Sequence, residues 1–329
     1  MVALGTFCVD CSRPTPTKLE DSAQPTEYSV VWGDTPLGVR SYLLEFSRGQ
    51  LRIAGEASGA WFLVGGQPYR WHQLEETRQI LNECPEPNAE SDDSEGADAA
   101  QPGTHTDVTV VGAEAERLDA SGRVTISSPP SVEGATVFSN TIQLRASAGP
   151  HLFIERFSDA MYCGAVHGSP SFSFDTFDLA NQKFVPVPTK AELTELATLV
   201  QKTRRDSLLE CVGSRTRPDG QKLGVEELSE LEPWRAVPVL SASNQLDFEV
   251  TLGMLRFYAE GVISCPVTIT KFATSLTRFA PPPGLDAFKK LQPKTEIHGW
   301  SSLAANERAR FPAIERIFAE EARDAKKSN

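Results

Sequence analysis

The chain contains no long hydrophobic run and none of the short motifs that assign a reaction. No segment approaches the roughly 18–20 consecutive apolar residues that a membrane-spanning helix needs, so no membrane span is expected. The patterns H-E-x-x-H, G-x-S-x-G and the P-loop are all missing. Their absence argues against the standard zinc-protease, α/β-hydrolase and nucleotide-binding classes.

Histidine is also sparse, which bears on metal binding. None of the five histidines has the His-x3-His spacing of a deacetylase-type metal site. Cys8 and Cys11 form one C-x-x-C, without the further pair of ligands that a closed zinc site requires. We therefore expect neither a metal ion nor another cofactor.

Basic residues are outnumbered by acidic ones. The 329 residues include 32 Lys and Arg against 44 Asp and Glu, which gives a net charge of -12 at pH 7. This charge argues against nucleic acid and anionic membranes as partners and suits a cationic one. The length allows one large domain or two ordinary ones, with ample material for a core.

The six cysteines suggest a compartment. An even number is typical of disulfide-bonded exported proteins. Cys163 and Cys265 lie in strand-like segments, where they would pair with each other or with Cys211. In a cytosolic protein the same residues would be small buried hydrophobes. We favour export, with one or two disulfides.

The N-terminal segment leaves the location of the protein open. Residues 1–8 are too short to hold a signal peptide. Residues 1–27 as a whole are expected to form a flexible leader, since residues 9–27 are rich in Pro, Thr, Ser and charge. We expect an extracytoplasmic location, in the periplasm or cell envelope, if a signal is missing from this chain, and a cytoplasmic one otherwise.

The remaining chain divides by composition into four units. Residues 28–84 are predicted to form a β-rich module that ends in a short helix from Gln73 to Cys84. Residues 85–105 form an acidic linker without large apolar side chains. Residues 106–283 are predicted to form an α+β domain, and residues 284–329 a helical extension whose apolar stripe docks on its own chain.

The predicted fold class is α+β: an antiparallel sheet covered by a helix and preceded by the small β-rich module. The covering helix is predicted to start at Thr189, since Thr189-Lys-Ala-Glu192 is a capping box. Its apolar positions fall on one face at helical spacing and continue to Gly213. That face includes Leu193, Leu196, Val200, Ser207 and Cys211.

A glycine-rich turn followed by an aromatic strand is the most distinctive segment. The turn runs from Gly164 through His167 and Gly168 to Pro170, and the strand carries Phe172, Phe174 and Phe177. Further along come Phe177-Asp178-Leu179, the helix from Thr189, and the strand pair from Phe248 to Tyr258.

In series, these pieces resemble the extracytoplasmic domain of the RsiV-type anti-sigma factors, over roughly residues 152–279. The turn here contains Gly-Ala-Val-His where the family tends to have Gly-Gly-Ala-His, and no sigma-binding helix precedes a membrane span. The resemblance implies a lysozyme-binding or related envelope domain.

Five residues are candidates for a binding site: His167, Gly168, Asp175, Asp178 and Trp71. Cys163 and His167 are tempting as a nucleophile and base, but such pairs usually come from distant sequence, so we interpret His167 as fastening the turn. Asp175 and Asp178 are three apart on a strand and are expected on opposite faces. Trp71, with Trp61, Tyr69 and Arg70, suits a protein or carbohydrate contact, although Trp61 is expected in the core. No catalytic or metal-binding residue is predicted.

These observations favour a non-catalytic extracytoplasmic binding protein. Its expected partner is a cationic, lysozyme-like protein or a cell-wall component. One alternative is an enzyme acting on cell-wall glycan, which needs acid/base carboxylates that only the fold brings together. The other is a structural protein of the envelope.

Overall fold

The computed structural model describes residues 25–73, 75–79, 113–117, 122–126, 135–162, 168–214, 222, 224–240, 246–256, 261–269 and 280–327. Its first eight strands are β1 (Glu27–Thr35), β2 (Gly38–Ser47), β3 (Gln50–Ser58), β4 (Trp61–Val64), β5 (Gln67–Gln73), β6 (Glu75–Gln79), β7 (Ala113–Arg117) and β8 (Gly122–Ile126). The middle of the chain forms β9 (Ala135–Ala148), β10 (His151–Tyr162), β11 (Ser169–Asp178), β12 (Lys183–Val185), α1 (Lys190–Thr203) and α2 (Arg205–Gly213). After a 3-10 turn at Glu226–Glu230 come β13 (Glu232–Leu240), β14 (Leu246–Arg256), β15 (Gly261–Ile269), α3 (Leu285–Leu291), β16 (Glu296–Ser302), a 3-10 turn at Ala305–Arg310 and α4 (Phe311–Lys327).

A nine-stranded sheet forms the centre of the protein. Its strand order is β12-β11-β10-β9-β16-β1-β2-β3, and β6 also pairs with β9. Every pairing is antiparallel except that of β16 with β9, where Gly299 and Trp300 lie opposite Ser147 and Ala148. Strand β16 thus joins the N-terminal strands to β9–β12 in one sheet. The segments predicted as separate units at 28–84, 106–283 and 284–329 share this sheet, and the C-terminal extension predicted as helical contains a strand.

Two smaller sheets cover the faces of the large one. The three-stranded sheet β13-β14-β15 lies over one face, and the four-stranded sheet β4-β5-β7-β8 contributes to the cover of the other. The α+β prediction, with a mostly antiparallel sheet and a small β module, is confirmed. The two faces alternate along the strands: Val31 packs toward β13 and α1, while Val30 and Trp32 pack on the opposite side.

Helices α1 and α2 pack on the three-stranded sheet as predicted. The Thr189 hydroxyl accepts a hydrogen bond from the Glu192 amide (3.2 Å), and the Glu192 carboxylate accepts one from the Thr189 amide (2.7 Å). These bonds satisfy two amides of the first turn. The predicted single helix is in fact two, with a break at Arg204. The break rotates the second segment, so that Leu208 is buried whereas Ser207 is exposed.

The helix predicted from Gln73 to Cys84 is wrong where the structure describes it. Strand β5 extends through Gln73, and residues 75–79 form β6, which pairs with β9 from Glu75 opposite Thr141 to Gln79 opposite Val137. The local sequence has helical propensity, but propensity is a weak preference that tertiary pairing overrides. The edge of β9 supplies a complete ladder of backbone hydrogen-bond partners here.

Helix α4 packs on β3, which confirms that its apolar stripe docks on its own chain. Phe311, Ile314 and Phe318 are buried in a cluster with Trp61. A β-carbon at Gly55 of β3 would lie 2.8 Å from the Phe318 Cβ, so the helix approaches the sheet where a glycine makes room. Within the described parts of the chain, no helix is both long and apolar enough to cross a membrane.

Candidate functional site

The glycine-rich turn is described in part. His167 and Cys163 lie outside the described residues, whereas Gly168 lies within them and is half-buried. A β-carbon at Gly168 would lie 2.3 Å from the Oδ1 atom of Asp159 on β10. A side chain at position 168 would require the Asp159 carboxylate to shift, so Gly168 lets β10 and the start of β11 pack closely.

Asp175 is engaged in an ion pair. Its carboxylate lies 3.3 Å from the Nε atom of Arg156 on β10. The Arg156 guanidinium lies 4.6 Å from the centre of the Phe184 ring, an arrangement that favours a cation. Burial lowers the pKa of Arg156, while the charge of Asp175 acts in the opposite sense. Asp175 thus compensates a partly buried arginine.

Asp178 holds the turn between β11 and β12. Its carboxylate accepts hydrogen bonds from the Ala180 amide (3.0 Å), the Asn181 amide (3.2 Å) and the Asn181 side chain (2.7 Å). Burial alone would raise the pKa of Asp178, but these bonds and the nearby His151 hold the pKa below its ordinary value. The carboxylate is therefore used to build a turn, and the structure does not join it with Asp175 in one site.

The aromatic group around Trp71 belongs largely to the core. Trp71 is half-buried and packs on the cluster that contains Trp32 and Tyr69. Trp61 is fully buried, as predicted, and its indole N–H donates to the Ser58 carbonyl. Arg70 lies 5.8 Å from the Trp61 ring centre and 3.5 Å from Glu321. These contacts join β4 and β5 to α4.

A cavity of about 310 Å³ that the sequence did not predict lies between the three-stranded sheet and the large sheet. It is bounded by the end of β13, the C-terminal end of α3 and the start of β16. The lining residues are Val239, Leu240, Lys289, Gln292, Pro293, Thr295, Glu296, Ile297 and His298. The lining combines four apolar residues with five polar or charged ones.

Asp247 lies next to this cavity and is the most unusual charged residue of the region. It sits on β14 directly opposite Val239, and cross-strand partners project to the same face of a sheet. The residue is only 4% exposed, and within the described parts of the chain its Oδ1 atom has no hydrogen-bond partner. Burial raises the pKa of Asp247 above its ordinary value.

The other acidic residue on this face of β14 has a partner. Glu249 pairs with the guanidinium of Arg235, whose Nη1 atom also lies 3.1 Å from Glu155 of β10. The Arg235 Nε atom donates to the Thr251 hydroxyl at 2.9 Å. This network links the small sheet to the large one and leaves Asp247 outside it.

Two of the charged or titratable groups that line the cavity, Lys289 and His298, have partners. Burial lowers the pKa of Lys289, and the opposite charge of Asp286, one turn earlier on α3, acts against that effect. The His298 Nε2 atom lies 3.0 Å from the carboxylate of Asp34. Lys289 and His298 thus each have an opposite charge nearby, whereas Asp247 is buried without a counter-charge among the described residues.

A second cavity, of about 350 Å³, lies between the β4–β5 turn and the β11–β12 turn. Its polar lining residues are Gln67, Tyr69, Gln182 and Arg310. The Arg310 guanidinium donates a hydrogen bond to the Gly65 carbonyl at 3.1 Å. We find no buried polar group without a partner among these four residues where the structure describes them.

A disulfide links Cys211 of α2 to Cys265 of β15. The two Cα atoms are 6.0 Å apart, and the cysteines are separated by 54 residues in the sequence. This pairing is one of the predicted alternatives, while Cys163 lies outside the described residues. The bond fastens a helix to the sheet that it covers.

The comparisons with known proteins return nothing. No family model, no curated protein and no solved structure matches the chain. The resemblance to the RsiV-type domains thus stays a prediction. Among the described residues, no group of three or more His, Cys, Asp or Glu side chains is arranged to hold a metal ion.

Asp247 is not among the predicted site residues, although the sequence contains a signal for it. The segment Leu246 to Leu252 alternates apolar and polar residues, which places Asp247 and Glu249 on one face of a strand. Alternation normally indicates a solvent-exposed polar face. Here the large sheet covers that face, and nothing local to β14 predicts the cover.

Proposed function

We propose that this protein is a non-catalytic, extracytoplasmic binding protein for a cationic partner, with a lysozyme-like protein as the best candidate and a cell-wall component as the next. The observation that carries the proposal is the Cys211–Cys265 disulfide, because such bonds persist in oxidising compartments outside the cytosol. The net charge of -12 supports a cationic partner through long-range attraction.

The arrangement of the predicted site residues is consistent with a binding role. Asp175 and Asp178 compensate an arginine and build a turn, so neither is poised for proton transfer. Gly168 provides space beside Asp159. The binding face would then be a surface of the folded chain rather than a catalytic cleft built from these residues.

The proposal is tested by calorimetric titration with a cationic lysozyme at low salt and at about 0.15 M salt, where the Debye length is about 8 Å. We expect saturable 1:1 binding that weakens with salt but persists, together with reduced muramidase activity. Cytochrome c, a cationic protein of unrelated shape, is the control. Heat that vanishes with salt, or equal heat with cytochrome c, would reduce the interaction to charge attraction and reject the lysozyme assignment.

An enzyme acting on cell-wall glycan is the second candidate, and one observation favours it. Asp247 and Glu249 share one face of β14, and only Glu249 is paired with an arginine. Carboxylates in unequal environments are what acid/base catalysis on glycosides requires. We rank this candidate second because neither residue lines either of the two cavities described above.

The second candidate has its own test. The full-length protein is incubated with purified cell-wall glycan, and newly formed reducing ends are counted. Release that disappears in both Asp247→Asn and Glu249→Gln would establish the enzyme and displace the binding proposal. Release that persists in both variants would exclude these carboxylates from catalysis.

A further inference from the structure

The cavity between the β4–β5 turn and the β11–β12 turn has a single charged side chain in its described lining. That residue is Arg310, at the end of the 3-10 turn that precedes α4, and no Asp or Glu joins it among the described lining residues. The other polar lining side chains, Gln67, Tyr69 and Gln182, are neutral. The cavity is therefore a locally positive place on a protein whose net charge is -12.

The β4–β5 turn holds Arg310 in place. The Arg310 Nη1 atom donates a hydrogen bond to the Gly65 carbonyl at 3.1 Å. A β-carbon at Gly66 would lie 2.7 Å from the Arg310 Cδ atom, so the glycine lets the arginine stem lie across the turn. Gly65 and Gly66 have φ values of 58° and 69°, which a tight hairpin turn of this kind requires and which glycine adopts readily. The turn thus positions the guanidinium without neutralising its charge.

No carboxylate pairs with Arg310 in the described parts of the chain. Glu307 lies one turn earlier, but its carboxylate accepts a hydrogen bond from the Ala304 amide at 3.1 Å. Asp178, before the opposite wall, is committed to the amides of the β11–β12 turn. Several arginines on the strands do have carboxylate partners, namely Arg40, Arg52, Arg70, Arg145, Arg156 and Arg235. A guanidinium has more N–H donors than its one bond to Gly65 uses, so Arg310 has donors to offer a ligand.

Tyr69 adds a second group without a partner. The residue is 8% exposed and lines the cavity, and its hydroxyl makes no hydrogen bond to the described residues. A buried tyrosine hydroxyl usually has a partner. This oxygen is not fully sealed from solvent, which places it at the wall of the cavity.

We propose that this cavity binds a monocarboxylate that carries hydroxyl groups, a sugar acid of monosaccharide size, with Arg310 as the counter-charge of the carboxylate. The guanidinium fork matches the geometry of a carboxylate and forms charge-assisted hydrogen bonds to it. Hydroxyl groups both donate and accept, as do the Tyr69 hydroxyl and, through their separate amide atoms, Gln67 and Gln182.

Charge and size narrow the ligand further. One cation on a protein of net charge -12 favours a single negative charge over a phosphate dianion, which the overall field repels more strongly. The cavity volume of about 350 Å³ lies at the lower end of the range of roughly 300–1,000 Å³ for small-molecule sites. A single sugar ring is a ligand of that size class.

This site goes beyond the proposed function, because its ligand is an anion and a lysozyme titration neither supports nor contradicts it. The probe is D-glucuronate, added to the full-length protein while the amide chemical shifts of Gly65 and Gln182 are followed, one on each wall. Glucose has the same ring without the carboxylate, cyclohexanecarboxylate has the carboxylate without hydroxyl groups, and inorganic phosphate is the dianion. We expect saturable shifts with glucuronate and affinities at least about tenfold weaker for the three others, as for the loss of a charge-assisted bond or of several neutral ones.

The decisive variant is Arg310→Gln, with Arg316→Gln as the matched control. Arg316 is also exposed and also donates to a backbone carbonyl, that of Pro312 at 3.3 Å, but it does not line the cavity. We expect Arg310→Gln to weaken glucuronate binding by about tenfold or more. Arg316→Gln should leave the affinity within about twofold, as for a distant surface charge. Tyr69→Phe keeps the packed ring, so it serves even if Arg310→Gln does not fold, and it should weaken binding by about two- to tenfold.

Four results would overturn the proposal. These are no saturable shift with glucuronate, equal affinity for glucose or cyclohexanecarboxylate, phosphate binding as tight as that of glucuronate, or wild-type affinity in both Arg310→Gln and Tyr69→Phe. Methyl β-D-glucuronide then distinguishes the two sources of a sugar acid, because its blocked anomeric oxygen resembles the end of a glycan. Binding of both compounds supports a glycan end as the ligand, and binding of glucuronate alone supports a free sugar acid.

Discussion

Breaking the bond between Cys211 and Cys265 tests the link between this fold and an oxidising compartment. The disulfide closes a loop of 54 residues between α2 and β15. In the chain-entropy model, a loop of this length removes about 14 cal/mol/K from the unfolded chain, or about 4 kcal/mol at 25 °C. That is a large share of the roughly 5–15 kcal/mol that stabilises a typical protein.

The assay is urea unfolding of the oxidised and reduced wild-type protein, with the free energy of unfolding compared between them. Reduction keeps both sulfur atoms, so the difference isolates the covalent bond from the loss of packing at the buried Cys265. We expect a loss of about 4 kcal/mol. The Cys211→Ala/Cys265→Ala double variant is the control, because a reductant should not destabilise it by the same amount.

Two results would refute this reasoning. The first is an equal free energy of unfolding in the oxidised and reduced protein. The second is mass spectrometry that finds Cys265 joined to a cysteine other than Cys211. Either would also remove the main support for an extracytoplasmic location.

Three further variants test the packing and the charges. Thr189→Ala removes the hydroxyl of the capping box and should cost about 1 kcal/mol in urea unfolding, whereas Thr194→Ala at an exposed helical position should cost little; equal losses would contradict the capping role. Phe318→Ala should cost about 3–5 kcal/mol, because it opens a cavity between α4 and β3, and a smaller loss would mean that the helix is weakly docked. Burial raises the pKa of Asp247 in the folded state, so ionising this carboxyl destabilises the folded protein. That loss of stability develops as the pH rises through the pKa of the folded state. Asp247→Asn should therefore stabilise the protein at pH 7 by about 1 kcal/mol, and the gain should vanish at about pH 3, where the carboxyl is protonated in both states; a gain that is independent of pH would exclude charge burial as its cause.

The site predictions from sequence identified residues that the structure uses for support. The sequence predicts Asp175 and Asp178 as site residues because they are carboxylates close together in an aromatic strand. Their partners, Arg156 and the amides of the following turn, come from the neighbouring strand and from the turn geometry. The sequence does not predict Asp247 as a site residue, because a polar residue in an alternating strand is normally solvated. Its burial depends on a sheet whose strands come from other parts of the chain.

Local chemistry determined some of the elements of this protein. The capping box at Thr189 starts a helix without reference to anything distant, since both hydrogen bonds lie within the first turn. The period-two pattern from Leu246 to Leu252 likewise determines which side chains share a face of β14. The acidic excess is a property of composition alone, and the proposal of a cationic partner rests on it.

Tertiary structure decided which elements became neighbours. Strand β16 lies between β1 and β9 in the sheet, and its Gly299 pairs with Ser147 of β9. These two strands are more than 140 residues apart in the sequence, and no local pattern specifies such a pairing. The same long-range assembly selected Cys211 over other cysteines as the partner of Cys265. It also places residues 75–79, whose sequence predicts a helix, in a strand that pairs with β9. The same packing of the sheets buries Asp247. The partners of a strand's backbone hydrogen bonds, and the surface that buries a side chain, come from distant parts of the chain. These outcomes therefore follow from the whole fold.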